Sequence, residues 1–166
     1  MTRLFAILAA LALAFPAYAQ TQKDKDTRIL RDLARANLAE VQAGKLGAEK
    51  GTEDDVKRFG ERMAAGHSEH LADVRKLAKS NDVTLPSNPD RQQRDALTKL
   101  EQMQKGRAFD RAYMAQMVKD HEAALKLHQH AAKNAQDKDI RAAAEKAIPD
   151  VRQHLDTAKG IQSSLK

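Results

Sequence analysis

Four side chains in this sequence have the chemistry of metal ligands and stand where such groups are costly to leave without partners. Glu40, His67, His121 and His154 each interrupt an apolar stripe near the middle of a long periodic segment. The stripes run Ala36 to Glu40 to Gly44, Met63 to His67 to Leu71, Met117 to His121 to Leu125, and Val151 to His154 to Ala158. Helical periodicity therefore turns all four inward. A buried ionisable group needs a partner, so four at one depth are expected to share a cation, a proton or a water. Imidazole and carboxylate suit Zn, Cu, Ni, Fe or Mn, and with no thiolate in the set the metal is not narrowed further.

The spacing Phe59-x3-Met63-x3-His67 is repeated as Tyr113-x3-Met117-x3-His121. A thioether one turn from each imidazole makes copper worth testing, although Met at helical spacing is more often core filler. His70, one turn from His67, could add a fifth ligand. His128, His130, Asp73, Asp110 and Glu145 flank the stripes and read as solvated helix surface, while Asp120, next to His121 but turned about 100° away, is at most an outer partner of a ligand. Carboxylate-bridged di-iron bundles carry Glu-x-x-His on two helices. Here the residues three before His67, His121 and His154 are Ala64, Val118 and Val151, so oxygen-activating di-iron chemistry is not expected. The chain has no cysteine, and no serine sits in a glycine-rich elbow, so nucleophilic catalysis has no candidate either.

Four long helices must position these residues. The first is expected to start at a cap on Asp26 or Thr27 and to end at Gly51. The second is expected to start at a capping box of Thr52 with Asp55 and to run to about Ser80. Residues 81–88 hold Pro86 and several turn formers, which predicts a loop. Asn88-Pro89 then predicts a cap and first-turn proline for a short helix running to about Lys105. A third long helix is expected over 107–134. The fourth should be capped by Asp137 and kinked at Pro149. No segment alternates with period two, so no sheet is expected. Two tight turns and one long connection fit a ferritin-like four-helix bundle with a crossover that carries a short extra helix, better than a simple up-and-down bundle.

Residues 1–19 combine Arg3, an apolar run from Leu4 to Phe15 and Ala17-Tyr18-Ala19. This pattern predicts a secretory signal peptide cleaved after Ala19, leaving residues 20–166 as one exported, periplasmic helical domain. The run is too short to span a bilayer, where about 20 residues are needed, so no integral membrane segment should remain after cleavage. The formal charge is +6, from 29 basic and 23 acidic residues, and it is dispersed along helix faces. With few aromatics among the basic residues, nucleic acid is excluded as an expected partner. Weak attraction to an anionic envelope surface remains consistent with that charge. Alanine-rich helices bury little area per residue, so a bound cation or a homo-oligomer would support the core.

Asn37-Leu38-Ala39-Glu40, Met63-x3-His67, Val83-Thr84-Leu85-Pro86, Phe109-Asp110-Arg111-Ala112-Tyr113-Met114, Asp120-His121 and Pro149-x4-His154-Leu155 together resemble the exported bacterial family of domain of unknown function 4142. The resemblance covers nearly all of residues 20–166, and Phe-Asp-x-x-Tyr-x7-His is its most specific run. It implies a ferritin-like fold and an envelope location, and it carries no settled activity. One position departs from the family pattern: Gly66 stands before His67 where an Asp is common. The expectation is thus a periplasmic ferritin-like bundle that binds a transition-metal ion through Glu40, His67, His121 and His154, for buffering or stress protection, without turnover. The alternative is a non-catalytic envelope structural or interaction module that holds no metal.

Overall fold

The structure is a computed structural model that describes the backbone of residues 14–165 and side chains from residue 23 onward. The signal peptide expected over 1–19 lies largely outside the described residues. Five helices account for the fold, and among the described residues there is no strand: α1 (Ala14–Lys50), α2 (Asp54–Ser80), α3 (Arg91–Gln102), α4 (Arg107–Asn134) and α5 (Lys138–Ser164). No helix among the described residues is long and apolar enough to cross a membrane.

The expected boundaries of α4 and α5 hold to the residue, because their signals are local. Gly106, at φ 151°, separates the crossover from α4. The Asp137 carboxylate accepts from the Asp139 and Ile140 amides at the start of α5. Helix α5 runs unbroken through the exposed Pro149.

Three expected starts are different. Helix α1 extends back to Ala14, well before Asp26. No breaker separates Ala17 from Asp26, and Ala, Gln and Lys favour helix. Asp26 lies inside α1 and is almost completely buried, its two carboxylate oxygens accepting at 2.8 Å from the amides of Gln136 and Asp137. At α2, Glu53 is the N-cap and no side chain of its own segment caps it. The amides of Thr52 and Glu53 instead donate to Asp110 of α4, at 3.0 to 3.2 Å, and the Thr52 hydroxyl donates there too. The Thr52 and Asp55 box is not formed. At α3 the cap is Asp90 with Gln93, a complete capping box, and not Asn88; the helix ends at Gln102, earlier than Lys105.

Those two carboxylates also report helix direction. Asp110, in the first turn of α4, reaches the α1–α2 turn, so α2 and α4 start at the same end of the bundle. Asp26, in the first half of α1, reaches the α4–α5 turn, so this stretch of α1 lies beside the start of α5 at the other end. Helices α1 and α2 are antiparallel, as are α4 and α5, while α2 and α4 are parallel. The chain between Ser80 and Arg107 must then traverse the bundle. It is fastened at one end by Arg31, which donates to the Thr84 carbonyl. At the other end Lys50 donates to the carbonyls of Leu100, Glu101 and Met103, satisfying the exposed C-terminus of α3.

The apolar interior is divided in two. One cluster, around Phe59, Met63, Phe109, Tyr113, Met114 and Met117, fills the end where α2 and α4 begin. The other, around Leu30, Leu33, Leu71, Val74 and Ile140, fills the opposite end. Between α1 and α2 the backbones touch: a Cβ on Gly44 would collide with the backbone of Ala64 and Gly60, and one on Gly60 with that of Ala48 and Gly44. This close approach brings the mid-helix residues of α1 and α2 within reach of each other.

Candidate metal centre

A polar layer separates the two apolar clusters at mid-bundle. The imidazoles of His67 (α2), His121 (α4) and His154 (α5) form a near-equilateral triangle, with ring centroids 5.5, 5.6 and 5.6 Å apart. One ring nitrogen from each lies within 4.8 Å of the other two. His67 and His121 are buried and His154 is half-buried.

The hydrogen bonds fix which nitrogens face inward. Asn37 Nδ2 donates to the Leu33 carbonyl at 2.8 Å, which orients the amide so that its Oδ1 points at His67. His67 Nδ1 lies 2.9 Å from that oxygen and donates to it. His121 Nδ1 donates to the Met117 carbonyl one turn earlier, at 2.8 Å. Each ring therefore carries its proton on Nδ1 and presents an unprotonated Nε2, and these two nitrogens face each other at 3.5 Å. Two lone pairs so placed repel unless something electrophilic lies between them. Ligand nitrogens bonded at about 2.0–2.1 Å to a tetrahedral ion stand about 3.3–3.4 Å apart, close to the spacing found.

Burial keeps the rings neutral, as ligation requires. It lowers His67 well below the ordinary imidazole value, with the neighbouring His121, His154, His70 and His128 adding to the effect. Burial likewise takes His121 down to about 4, against the opposing pull of the Met117 carbonyl. His154 is lowered by burial first and by His70 second.

Glu40 occupies a different position from the one expected. It is buried on α1, with Oε1 3.7 Å from His121 Nδ1, the nitrogen already engaged by Met117. It thus stands behind His121, and the compact nitrogen group consists of the three histidines. Burial, reinforced by Asp120, raises the Glu40 carboxyl well above the usual range. Its Oε2 has no hydrogen-bond partner among the described residues. The methionines of the repeated spacing lie in the apolar cluster, Met117 serving the site through its backbone carbonyl.

Several flanking residues are not the solvated surface expected of them. Asp110 is wholly buried as the cap of α2, and His128 is 6% exposed. His130 is exposed, as expected. His70 meets the edge of the His67 ring at 5.7 Å and approaches Asp150 at 3.7 Å. A Cβ on Gly66 would lie 3.7 Å from His154 Cε1, so the position that departs from the family pattern faces the third histidine. Asn37 was missed as a site residue. Its signal was a short amide on an apolar stripe one turn before Glu40.

A helical bundle with imidazoles converging from three helices defines the class of protein. The family described as domain of unknown function (DUF4142) matches residues 12–161, and the chain belongs to it. No curated protein and no solved structure matches the chain.

Proposed function

We propose that this is an exported bundle that binds one transition-metal ion at His67, His121 and His154, buffering or sequestering it in the cell envelope. The observation that carries the reading is the facing pair of Nε2 lone pairs, each fixed by a hydrogen bond to the opposite nitrogen of its ring. Asn37 and Met117 act here as the outer partners that orient ligating histidines in metal sites. An ion bound by three nitrogens keeps an open position. Glu40, beside His121, is the nearest carboxylate to balance the charge of a dication.

Protein purified without a histidine tag is the material for the test. Adding Zn, Cu, Ni, Fe or Mn ions one at a time should raise the melting temperature for at least one metal. With metal at about one equivalent, the gain should disappear in His67→Ala and in His121→Ala and persist in His130→Ala. It should persist through about pH 6.5, where free imidazole protonates, and weaken only as pH falls toward about 4, the lowered value of His121. A melting temperature indifferent to all five metals would leave the histidines as a hydrogen-bonded packing layer in an envelope interaction module.

A further inference from the structure

A second group of polar side chains adjoins the triad and has no part in it. A cavity of about 170 Å³ opens between α2 and α5, with Asn37 and Leu33 of α1 at its floor and His70 and His128 in its wall. His128 is more than nine-tenths buried, and neither its Nδ1 nor that of His70 has a hydrogen-bond partner among the described residues. Buried ring nitrogens left unpaired are costly, and two lining one cavity point to a shared electrophile or hydrated species. The rim carries Glu69, Asp73 and Asp150 against Lys146, an excess of negative charge. Asp150 Oδ2 lies 3.7 Å from His70 Nε2, so a carboxylate is already beside one imidazole.

We propose that His70 and His128, with Asp150 at the rim, form a second and weaker cation site. The two rings stand 6.5 Å apart, wider than any pair in the triad. An ion here makes fewer direct protein bonds and retains water. The cavity has ample room for that, since one ordered water needs only about 10–15 Å³ of such space. Burial, with His70 second, lowers His128 to about 4, so its ring is neutral and able to ligate at physiological pH. The site goes beyond the triad reading and does not depend on it, because no ligand is shared.

Calorimetric titration of untagged full-length chain with Zn should resolve two ions, the weaker at least tenfold looser than the tighter. The double variant His70→Gln with His128→Gln should lose only the weaker ion, and His67→Ala only the tighter. In His67→Ala, adding Zn should still shift the ring proton resonances of His70 and His128. Asp150→Asn changes an exposed side chain and leaves the fold intact. It should weaken the second site about fivefold and leave the first unchanged, which keeps the test valid if the double variant does not fold. A single ion in the wild type with no shift of those two rings, or a weaker ion that survives both His70/His128 and Asp150 substitution, would overturn the proposal. Loss of the tighter ion alone from the wild-type result would instead remove the triad reading and leave this one standing.

Discussion

Asn37 contributes to the site without offering a ligand of its own. Its amide, tied to the Leu33 carbonyl, decides that His67 holds its proton on Nδ1 and turns a lone pair toward His121. Asn37→Ala should therefore lower metal affinity about 10- to 100-fold while costing only about 1–2 kcal/mol of stability. Competition against a chromophoric chelator, paired with urea unfolding, separates the two effects. An affinity unchanged within twofold would show that the tautomer is set elsewhere. At this scale the triad was legible because each histidine breaks an otherwise apolar helical stripe. Asn37 was not, because an amide on the same stripe gives no hint of which ring it will meet. His128 and Asp110 were misread for a related reason: one-helix periodicity placed them at the stripe's margin, and a neighbouring helix covers that margin.

Among the elements, each tight turn is held by a carboxylate from a distant helix. Asp110 accepts from two amides and a hydroxyl at the start of α2, and it is wholly buried. Its removal leaves half-buried donors of the α1–α2 turn without their partner and a void in its place, so Asp110→Ala should lose about 1–3 kcal/mol, read as a shift in the urea midpoint at constant slope. Asp55→Ala, the partner in the capping box that is not formed, should change stability by less than about 0.5 kcal/mol. The α1–α2 crossing depends on backbone contact at Gly44 and Gly60. Gly60→Ala should lower stability by about 1–3 kcal/mol, against the gain of helix propensity that Ala normally brings. A rise in melting temperature for that variant would mean the helices are free to separate. The ends of α4 and α5 were legible because their punctuation, Gly106 and Asp137, lies within the same stretch of chain. The starts of α1 and α2 were not, since Asp26 and the Thr52–Asp55 pair were read as local caps, whereas Asp26 and Asp110 act across the bundle.

For the whole molecule, the buried histidines set the response to acid. Folding holds His121 and His128 at about 4, against about 6.5 in the unfolded chain. Between those values the unfolded chain binds protons that the folded chain refuses, so stability is lost as pH falls through that window. His67 acts in the same sense. Glu40 opposes them: its raised folded value favours the folded state at low pH, and that advantage is lost as pH rises above about 4.5. The lowered values of His121 and His128 are each worth about 3 kcal/mol across the window, and His67 adds to them in the same sense against a single opposing carboxyl. Metal-free protein should therefore melt at progressively lower temperature from pH 7 to 4.5, and His128→Leu should flatten the slope. A melting temperature that rises on acidification would show that Glu40 dominates. The order of the four long helices was legible from loop lengths alone, since two short turns and one long connection leave little choice.

The reciprocal carboxylates carry a consequence of a different kind. A single constant offset along the chain takes Asp26 to Asp110, Thr52 to Gln136, Leu33 to Met117, Asn37 to His121 and His70 to His154. Four of these pairs do matching work: the two aspartates accept from the amides of Thr52 and Gln136 in the opposite turn, and Asn37 and His121 each donate to the carbonyl one helical turn before them, on Leu33 and Met117. The bundle is thus a helical hairpin built twice, its halves related by an approximate twofold axis across the long direction. His67 answers to Val151 under the same offset, and there the correspondence of polar residues fails. The triad draws His121 and His154 from one copy and His67 from the other, so the metal centre lies where the twofold symmetry is broken.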